Sequence, residues 1–254
     1  LSADWSAPVK RPSCGYAPSQ VHLALHLRLG DILLAAEDPK SRERFARRSE
    51  LGKRLNRTAL TFGRAVRLAG LLSSALGSDL AVHAYADLPP EYELTRLPAV
   101  LQRYAGAAAP RMHIPPDSSS TSNRIRADAA SRAQVVHFDD GRGSSHIVTL
   151  HHGGHPLSDL HCLASADALV PAPSFFSLLA TYLSRGIKLD LQAFTWSNLG
   201  YKMKTQQRAQ ALAGQGWLVY NQDVDDVSGR AAAGLAEVVE QLRRQLRVKR
   251  NAKI

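Results

Sequence analysis

The chain has 254 residues, 44% of them hydrophobic, and a formal net charge of +10. This composition is typical of a globular protein with a real core, in one large domain or two small ones. No run of eighteen apolar residues occurs and the first residues lack a signal-peptide pattern, so neither a membrane segment nor a secretion leader is expected in this chain. The positive charge favours an anionic partner: a nucleic acid, a lipid headgroup or a phosphorylated small molecule. Because the first residue is not Met, a longer parent protein stays open.

The two cysteines, Cys14 and Cys162, are too few for a disulfide framework or a four-cysteine zinc site. They leave the redox compartment, and the presence of a single bridge, open. Basic residues concentrate in the segments 40–57 and 243–254. The second segment contains six basic residues and no acidic residue. We expect both segments to be solvated helix faces or a frayed end.

Short apolar runs that end in turn residues predict strands, and apolar positions at helical spacing predict helices. In chain order these patterns predict a strand over 21–29, a helix over 58–76, a strand over 80–84, a short helix over 98–104, strands over 134–138 and 146–150, a helix over 156–165, a strand over 168–170, a helix over 174–183 and a strand over 188–191. A terminal helix is predicted by an apolar stripe of Leu235, Val238, Val239, Leu242 and Leu246. Residues 106–132 show no period and are predicted to be a surface insertion. The predicted organisation is an N-terminal extension over 1–20, one domain over 21–230, and a helix with a basic tail over 231–254.

Strands that alternate with helices indicate an α/β fold: a doubly wound, Rossmann-like parallel sheet with helices on both faces. Ligands bind such sheets beyond the carboxyl ends of the strands, where the loops gather. Three loops therefore carry the candidate site: the loop after Leu29, the loop around Asp159 and the loop before Ser174.

The first candidate element is HLRLGD, at 26–31, where the first predicted strand ends. On an alternating strand His26 and Arg28 project to the same side. The guanidinium offers a rigid fork of donors that suits phosphate oxygens, and Gly30 lets the backbone turn closely. Asp31 either holds the arginine or caps the next element of the chain. A purely structural Arg–Asp pair is the alternative.

The second candidate element is SDLHCLASADALVPAPSFFSLLA, at 158–180. Ser158 is expected to cap a helix, after which a short strand leads through two prolines to a helix that starts at Ser174. The N–H groups at that start, together with the sign of the helix dipole, suit an anion. A plain N-cap serine is the alternative. An anion site between the two elements is favoured if both end at one edge of the sheet.

These residues resemble the signatures of the GDP-fucose-dependent fucosyltransferases, which make α1,2-, α1,6- and O-linked fucose. VHLALHLRLGD is similar to the family's His-x-Arg strand and loop. The segment 159–180 is similar to its later signature, in which Asp-x-His and an Ala-Asp pair precede a short strand and a serine-rich helix start. AYAD, at 84–87, is similar to a Phe-Ser-Asp that follows a strand between the two signatures. The order and approximate spacing of the three motifs agree.

The resemblance implies the nucleotide-binding half of a GT-B glycosyltransferase that transfers fucose from GDP-fucose to a glycan or protein hydroxyl with inversion. Such an enzyme needs no metal or other cofactor. Arg28 would grip the β-phosphate and be the catalytic residue, and His26 and Asp159 would contact the guanine and ribose. Ser174 and nearby N–H groups would take the remaining phosphate oxygens. The implied binding set also includes Gly30, Asp31, Asp87, Phe175, Phe176 and Ser177.

The resemblance further implies a secretory lumen, Golgi or ER, and no nucleic-acid partner. Three features depart from the family pattern. Leu29 stands where many relatives have a second basic residue, so phosphate neutralisation is expected to be weaker or to come from elsewhere. Only twenty residues precede the first signature, so the family's acceptor-binding domain is not expected in this chain. The insertion at 106–132 has no counterpart in the family, and an inactive relative that only binds nucleotide stays open.

HHGGHPLSDLHCL, at 151–163, places four histidines within eleven positions. His151 and His155 have a zinc-like separation, but the two glycines and the proline of HHGGHP prevent a helix there. We expect HHGGHP to be a flexible connector that positions Asp159. A metallohydrolase built on these histidines is an alternative. A basic nucleic-acid-binding domain is another alternative, although few aromatic residues accompany the segment 40–57.

Overall fold

The computed structural model describes residues 14–30, 50–88, 92–105, 111–114, 132–139, 145–172, 174–190, 217–219 and 229–251. Its strands are β1 Val21–Leu27, β2 Leu80–Ala86, β3 Arg111–His113, β4 Arg132–Asp139, β5 Ser145–His152, β6 Ala168–Val170, β7 Ile187–Asp190 and β8 Trp217–Val219. Its helices are α1 Glu50–Leu76, α2 Leu97–Ala105, α3 Pro156–Ser165, α4 Phe175–Leu183 and α5 Gly229–Asn251, with 3-10 turns at Gly77–Asp79 and Leu94–Arg96. None of these helices is long and apolar enough to cross a membrane. Asp31 and most of the segments 40–57 and 106–132 lie outside the described residues.

The described strands form one mixed sheet in the order β3-β4-β5-β2-β1-β6-β7-β8. The six strands β5-β2-β1-β6-β7-β8 are parallel. In chain order, β2 and then β5 extend the sheet on one side of β1, and β6, β7 and β8 then extend it on the other side. This order is compatible with a doubly wound, Rossmann-like fold. The α/β class predicted from the sequence is confirmed.

The expectation of a wholly parallel sheet was wrong at one edge, where β3 and β4 run antiparallel. Only residues 140–144 separate β4 from β5. A parallel connection needs a crossover of about a dozen residues or more, so two strands this close in sequence pair antiparallel. β3 also forms inside the segment that was predicted to be an insertion. Neither β3 nor β8 was predicted, because three residues are too few to show a period.

β1 lies inside the sheet between β2 and β6, and every one of its residues is buried. Leu23, Leu25 and Leu27 belong to the larger core cluster, to which α1, α2 and α5 also contribute. Ala24 belongs to a smaller cluster with residues of α3 and α4. Because side chains alternate along a strand, the two clusters lie on opposite faces of the sheet. The face under α3 and α4 is the one that carries polar rings.

The terminal helix α5 carries the predicted apolar stripe into the larger core cluster: Leu235, Val238, Val239, Leu242 and Leu246. The helix continues through most of the basic tail, which is not frayed. Lys249 Nζ lies 2.5 Å from Asp167 Oδ2, and an Arg250 nitrogen lies 2.6 Å from Asp79 Oδ1. The expectation that this tail is only a solvated face was therefore wrong for these two residues, because their acidic partners come from distant parts of the chain.

A disulfide joins Cys14 to Cys162 in α3, with their Cα atoms 5.3 Å apart. It ties residues 14–20, here called the N-terminal strap, to the face of the sheet under α3. The Tyr16 hydroxyl donates to the Cys162 carbonyl at 3.0 Å, and the Tyr85 hydroxyl donates to Tyr16 at 3.2 Å. The strap is therefore packed against the sheet rather than extended from it.

Candidate functional site

The candidate site lies where β1 and β6 end side by side. These strands are parallel neighbours, and Leu25 pairs with Val170 near their carboxyl ends. The chain order of the sheet reverses between them, which is where doubly wound sheets open a crevice for ligands. Arg28 follows β1, and Ser174 caps α4 shortly after β6. The two candidate phosphate-binding elements therefore lie together at the carboxyl-terminal end of the parallel strands.

A hydrogen bond between His26 Nδ1 and Ser177 Oγ connects these two elements directly. Ser177 is completely buried, and its hydroxyl also accepts the N–H of Ala172 at 2.9 Å. The rings of His26 and Phe176 lie 5.3 Å apart between centroids. The end of β1 and the first turn of α4 are therefore one packed unit, in which the Ser177 hydroxyl is occupied by the protein itself.

His26 is held in its neutral form. Burial, and after it the positive charge of Arg28, lowers the pKa of His26 to about 4. The Ser177 hydroxyl has one proton and two lone pairs, so besides accepting from Ala172 it can donate to His26 Nδ1 or accept from it. The neutral His26 ring therefore offers either a donor or an acceptor at Nε2.

Ser174 is the N-cap of α4, which is the alternative that the sequence left open. Its backbone is extended, and its Oγ accepts the Ser177 N–H at 3.1 Å. The N–H groups of Phe175 and Phe176 begin the helix and have no carbonyl partner within it. The helix dipole favours an anion beside them. Phe175 itself is 75% exposed, so this helix start reaches the surface.

Asp87, which follows β2, anchors the loop after β1. Its Oδ1 accepts the N–H groups of Leu29 at 2.5 Å and of Gly30 at 2.8 Å. A Cβ atom on Gly30 would lie 2.0 Å from the Asp87 carbonyl oxygen, so only glycine fits there. The structure therefore gives Asp87 and Gly30 a positioning role: they set the path of the loop that carries Arg28.

Asp159 lies in the first turn of α3. Burial raises the pKa of the Tyr85 phenol, and the charge of Asp159 adds to that effect. Burial raises the pKa of the Asp159 carboxyl to about 6, against an opposite effect of His155. His155 is also the N-cap of α3. The expectation that Ser158 caps this helix was wrong, because Pro156 already suits the first helical position.

Three histidines that the sequence did not group together lie in a row: His22 of β1, His83 of β2 and His151 of β5. The ring nitrogens of neighbours are 3.1 Å apart at both steps. His151 and His152 are the last residues of β5, so the expectation that HHGGHP is a connector throughout was wrong for them. Polar rings at every second position of otherwise apolar strands were the signal in the sequence.

A metal site at the histidine-rich segment finds no support in the described part of the chain. No group of three or more His, Cys, Asp and Glu side chains there could hold a metal ion. His151 instead bonds to His83, and its ring stacks on Tyr85 with centroids 4.5 Å apart. His151 is therefore packed against its neighbours on the sheet.

Comparison of the chain with protein-family models, with curated proteins and with solved structures found no match. The functional interpretation therefore depends on the geometry of the edge between β1 and β6 and on the motifs that surround it.

Proposed function

We propose that this chain is the nucleotide-binding half of a GT-B glycosyltransferase that transfers fucose from GDP-fucose to a glycan or protein hydroxyl with inversion. The observation that carries the proposal is the position of Arg28 and the N-terminus of α4 at the same end of two neighbouring strands. Both groups suit phosphate oxygens, the guanidinium by its fork of donors and the helix by its N–H groups and dipole. The identities of the sugar, fucose, and of the nucleobase, guanine, come from the motif resemblance alone.

In this proposal the diphosphate lies between Arg28 and α4. As the bond between the sugar and the β-phosphate oxygen breaks, negative charge grows on the leaving GDP, and Arg28 stabilises it. Removing one such donor typically raises the barrier by about 3–4 kcal/mol. The acceptor hydroxyl attacks the anomeric carbon from the face opposite the leaving GDP, which inverts the configuration, and its proton passes to a base or to water.

His26 and Asp159 are proposed to contact the guanine and ribose. His26 is neutral because its pKa is lowered to about 4, and its Nε2 offers a hydrogen-bond donor or acceptor. Asp159, with a pKa raised to about 6, is mostly ionised near neutral pH and accepts hydrogen bonds from ribose hydroxyls or guanine N–H groups. Asp87 and Gly30 support the site by holding the loop.

The disulfide supports the secretory lumen as the proposed location. Cys14 and Cys162 are bonded to each other, and no cysteine in the described residues is free. Disulfides form and persist in oxidising compartments such as the ER lumen and outside the cell. A Golgi or ER enzyme would keep this bridge.

Calorimetric titration with GDP, GDP-fucose and UDP tests the proposal. We expect the guanine compounds to bind and UDP not to bind, and we expect Arg28→Ala to weaken GDP binding at least tenfold. Arg185→Ala is the matched control, because Arg185 lies between α4 and β7, at the opposite end of the strands. Equal binding of UDP, or an Arg28→Ala variant that binds GDP as the parent does, contradicts the proposal.

The same samples separate the alternatives. GDP binding without fucose transfer to any acceptor would indicate a nucleotide-binding relative. Binding of nucleic acid that falls steeply with salt and ignores GDP would indicate a basic nucleic-acid-binding domain. Hydrolysis that a chelator abolishes would indicate a metal enzyme.

A further inference from the structure

The three histidines lie on three neighbouring parallel strands. From β1 to β2 to β5, each lies closer to the carboxyl ends of the strands than the one before. His83 pairs with Thr149 and stands level with Ala24, two residues beyond His22. His151 pairs with Tyr85, which is two residues beyond His83. The row therefore runs diagonally from the start of β1 to the end of β5. We call these three residues the histidine chain.

The proton positions along the histidine chain follow from its first bond. His22 Nε2 lies 2.7 Å from the Ala17 carbonyl oxygen, which can only accept, so His22 carries its proton on Nε2. Burial lowers the pKa of His22, and the ring is neutral with a lone pair on Nδ1. His83 Nε2–H must donate to that lone pair, and His151 Nε2–H must then donate to His83 Nδ1. All three rings are thereby locked in one tautomer, with His151 Nδ1 as the acceptor end.

The N-terminal strap covers the start of the histidine chain. The Tyr16 ring stacks on His22 with centroids 4.4 Å apart and planes 9° apart, and Ala17 supplies the terminal carbonyl. The Gln20 N–H donates to the Ala17 carbonyl at 3.1 Å, which shapes the strap into a turn. The Tyr16 ring and the Ala17 carbonyl cover His22, so a charged His22 ring would be kept from water while the strap is in place.

Other titratable and charged groups face the histidine chain from every element packed against it. The Asp167 carboxylate accepts the backbone N–H of His22 at 2.8 Å and is paired with Lys249, so these two opposite charges offset each other. The titratable and charged groups that surround the histidine chain are Tyr16 of the strap, Tyr85 of β2, His152 of β5, Asp159 of α3, Asp167 before β6 and Lys249 of α5.

We propose that the histidine chain is an acid-operated latch on the N-terminal strap. When the histidine chain takes up a proton, residues 14–20 are released from the sheet, and the disulfide keeps them tethered. The proposal is independent of the nucleotide-sugar function.

A second proton disrupts the bonding pattern. A proton on His83 Nδ1 would face the His151 Nε2–H, and a proton on His22 Nδ1 would face the His83 Nε2–H, so either bond would become a clash of donors. A proton on His151 Nδ1 keeps both bonds but places a positive charge in a buried layer beside Tyr85. When the strap leaves, water reaches His22 and His83, and the rings can be charged at their ordinary pKa.

The size of the effect follows from proton linkage. The pKa of His83 is about 3 in the closed state, with burial as the main cause. With an open-state pKa of about 6.5, the opening equilibrium should rise on the order of a hundredfold between pH of about 7.5 and about 4.5. Because both closed and open states keep the disulfide, the opening should reverse when the pH is raised.

Amide hydrogen exchange of the intact, oxidised protein tests the latch. After correction for the intrinsic pH dependence of exchange, we expect the Gln20 amide to lose protection by on the order of a hundredfold over this pH range. The Leu25 amide in β1 should keep its protection at the same pH, which separates strap release from global unfolding. His83→Gln should reduce the change at Gln20 to less than tenfold, and His113→Gln, at an exposed position of β3, should leave it unchanged.

Two results would overturn the proposal. One is a Gln20 amide whose protection stays constant with pH, or changes equally in the parent and in His83→Gln. The other is a nitrogen NMR measurement on the unmodified protein that places the proton of His22 or His83 on Nδ1. The NMR measurement needs no variant, so it decides the matter even if His83→Gln fails to fold.

Discussion

His26 and Ser177 are hydrogen-bonded to each other although 151 positions separate them in the sequence. The bond joins the end of β1 to the first turn of α4, which are the two elements proposed to hold a diphosphate. The Ser177 hydroxyl also satisfies the buried N–H of Ala172. The Ser177 side chain thus ties the His26 ring to the start of the helix.

Replacing that hydroxyl should loosen both elements. Ser177→Ala leaves the Ala172 N–H and the His26 ring nitrogen without their buried partner, so we expect a loss of about 1–3 kcal/mol in the free energy of unfolding. GDP binding should weaken as well, because the His26 ring is no longer held by the Ser177 hydroxyl. Urea unfolding and calorimetry measure the two effects. Ser74→Ala is the control: that hydroxyl bonds only to the Gly70 carbonyl in its own helix and should change stability little.

Gly30→Ala should displace the loop that carries Arg28. The added Cβ would lie 2.0 Å from the Asp87 carbonyl oxygen, a backbone atom that cannot move aside cheaply. We expect a destabilisation of about 1–3 kcal/mol, typical of overpacking, and weaker GDP binding. Gly77→Ala provides the comparison, because its Cβ would meet nothing within 4 Å and only its positive φ resists the change. If Gly30→Ala bound GDP as the parent does, the loop would have no positioning role.

Stability should fall as the pH is lowered from about 6.5 to about 4. Burial lowers the pKa of His22, His26, His83 and His151, so in this range the unfolded chain binds these protons and the folded chain does not. The raised pKa of Asp159 acts in the opposite sense, because the folded carboxyl is protonated first. Four protons less one leave a slope of about 4 kcal/mol per pH unit at most.

Urea unfolding at a series of pH values measures this slope. His83→Gln should flatten it by about one proton, or roughly 1.4 kcal/mol per pH unit, because glutamine does not titrate. His113→Gln should not change it. A free energy of unfolding that stays constant between pH of about 6.5 and 4 would show that these rings are solvated.

Reduction of the disulfide should destabilise the fold and free the strap. Cys14 and Cys162 close a loop of 148 residues, and a native disulfide typically contributes about 2–4 kcal/mol. Thermal melting with and without reductant measures the effect. A Cys14→Ser, Cys162→Ser double variant should melt near the reduced parent and should ignore the reductant, which controls for other actions of the reagent.

The candidate site was predictable from the sequence as far as it depends on local order. Leu29-Gly30 ends an apolar run, and Ser174 stands shortly after a short apolar strand, so both elements could be placed at strand ends. Ser177 and Asp87 gained structural roles that the sequence did not show. Ala172 is a local partner of Ser177, whereas His26, Leu29 and Gly30 are brought to Ser177 and Asp87 by the neighbouring strand β1.

Patterns along the chain determined the α/β class, most helices and strands, and the apolar stripe of α5, because those depend on periods of two and 3.6 residues that each segment carries itself. Only the tertiary structure decided the histidine chain, the Cys14–Cys162 bridge and the acidic partners of Lys249 and Arg250. Each of these is a pairing between residues far apart in sequence. The register of neighbouring strands sets the histidine chain, and the packing of α3 and α5 sets the bridge and the two ion pairs. A shift of one residue in β2 would turn His83 to the other face and break both of its hydrogen bonds.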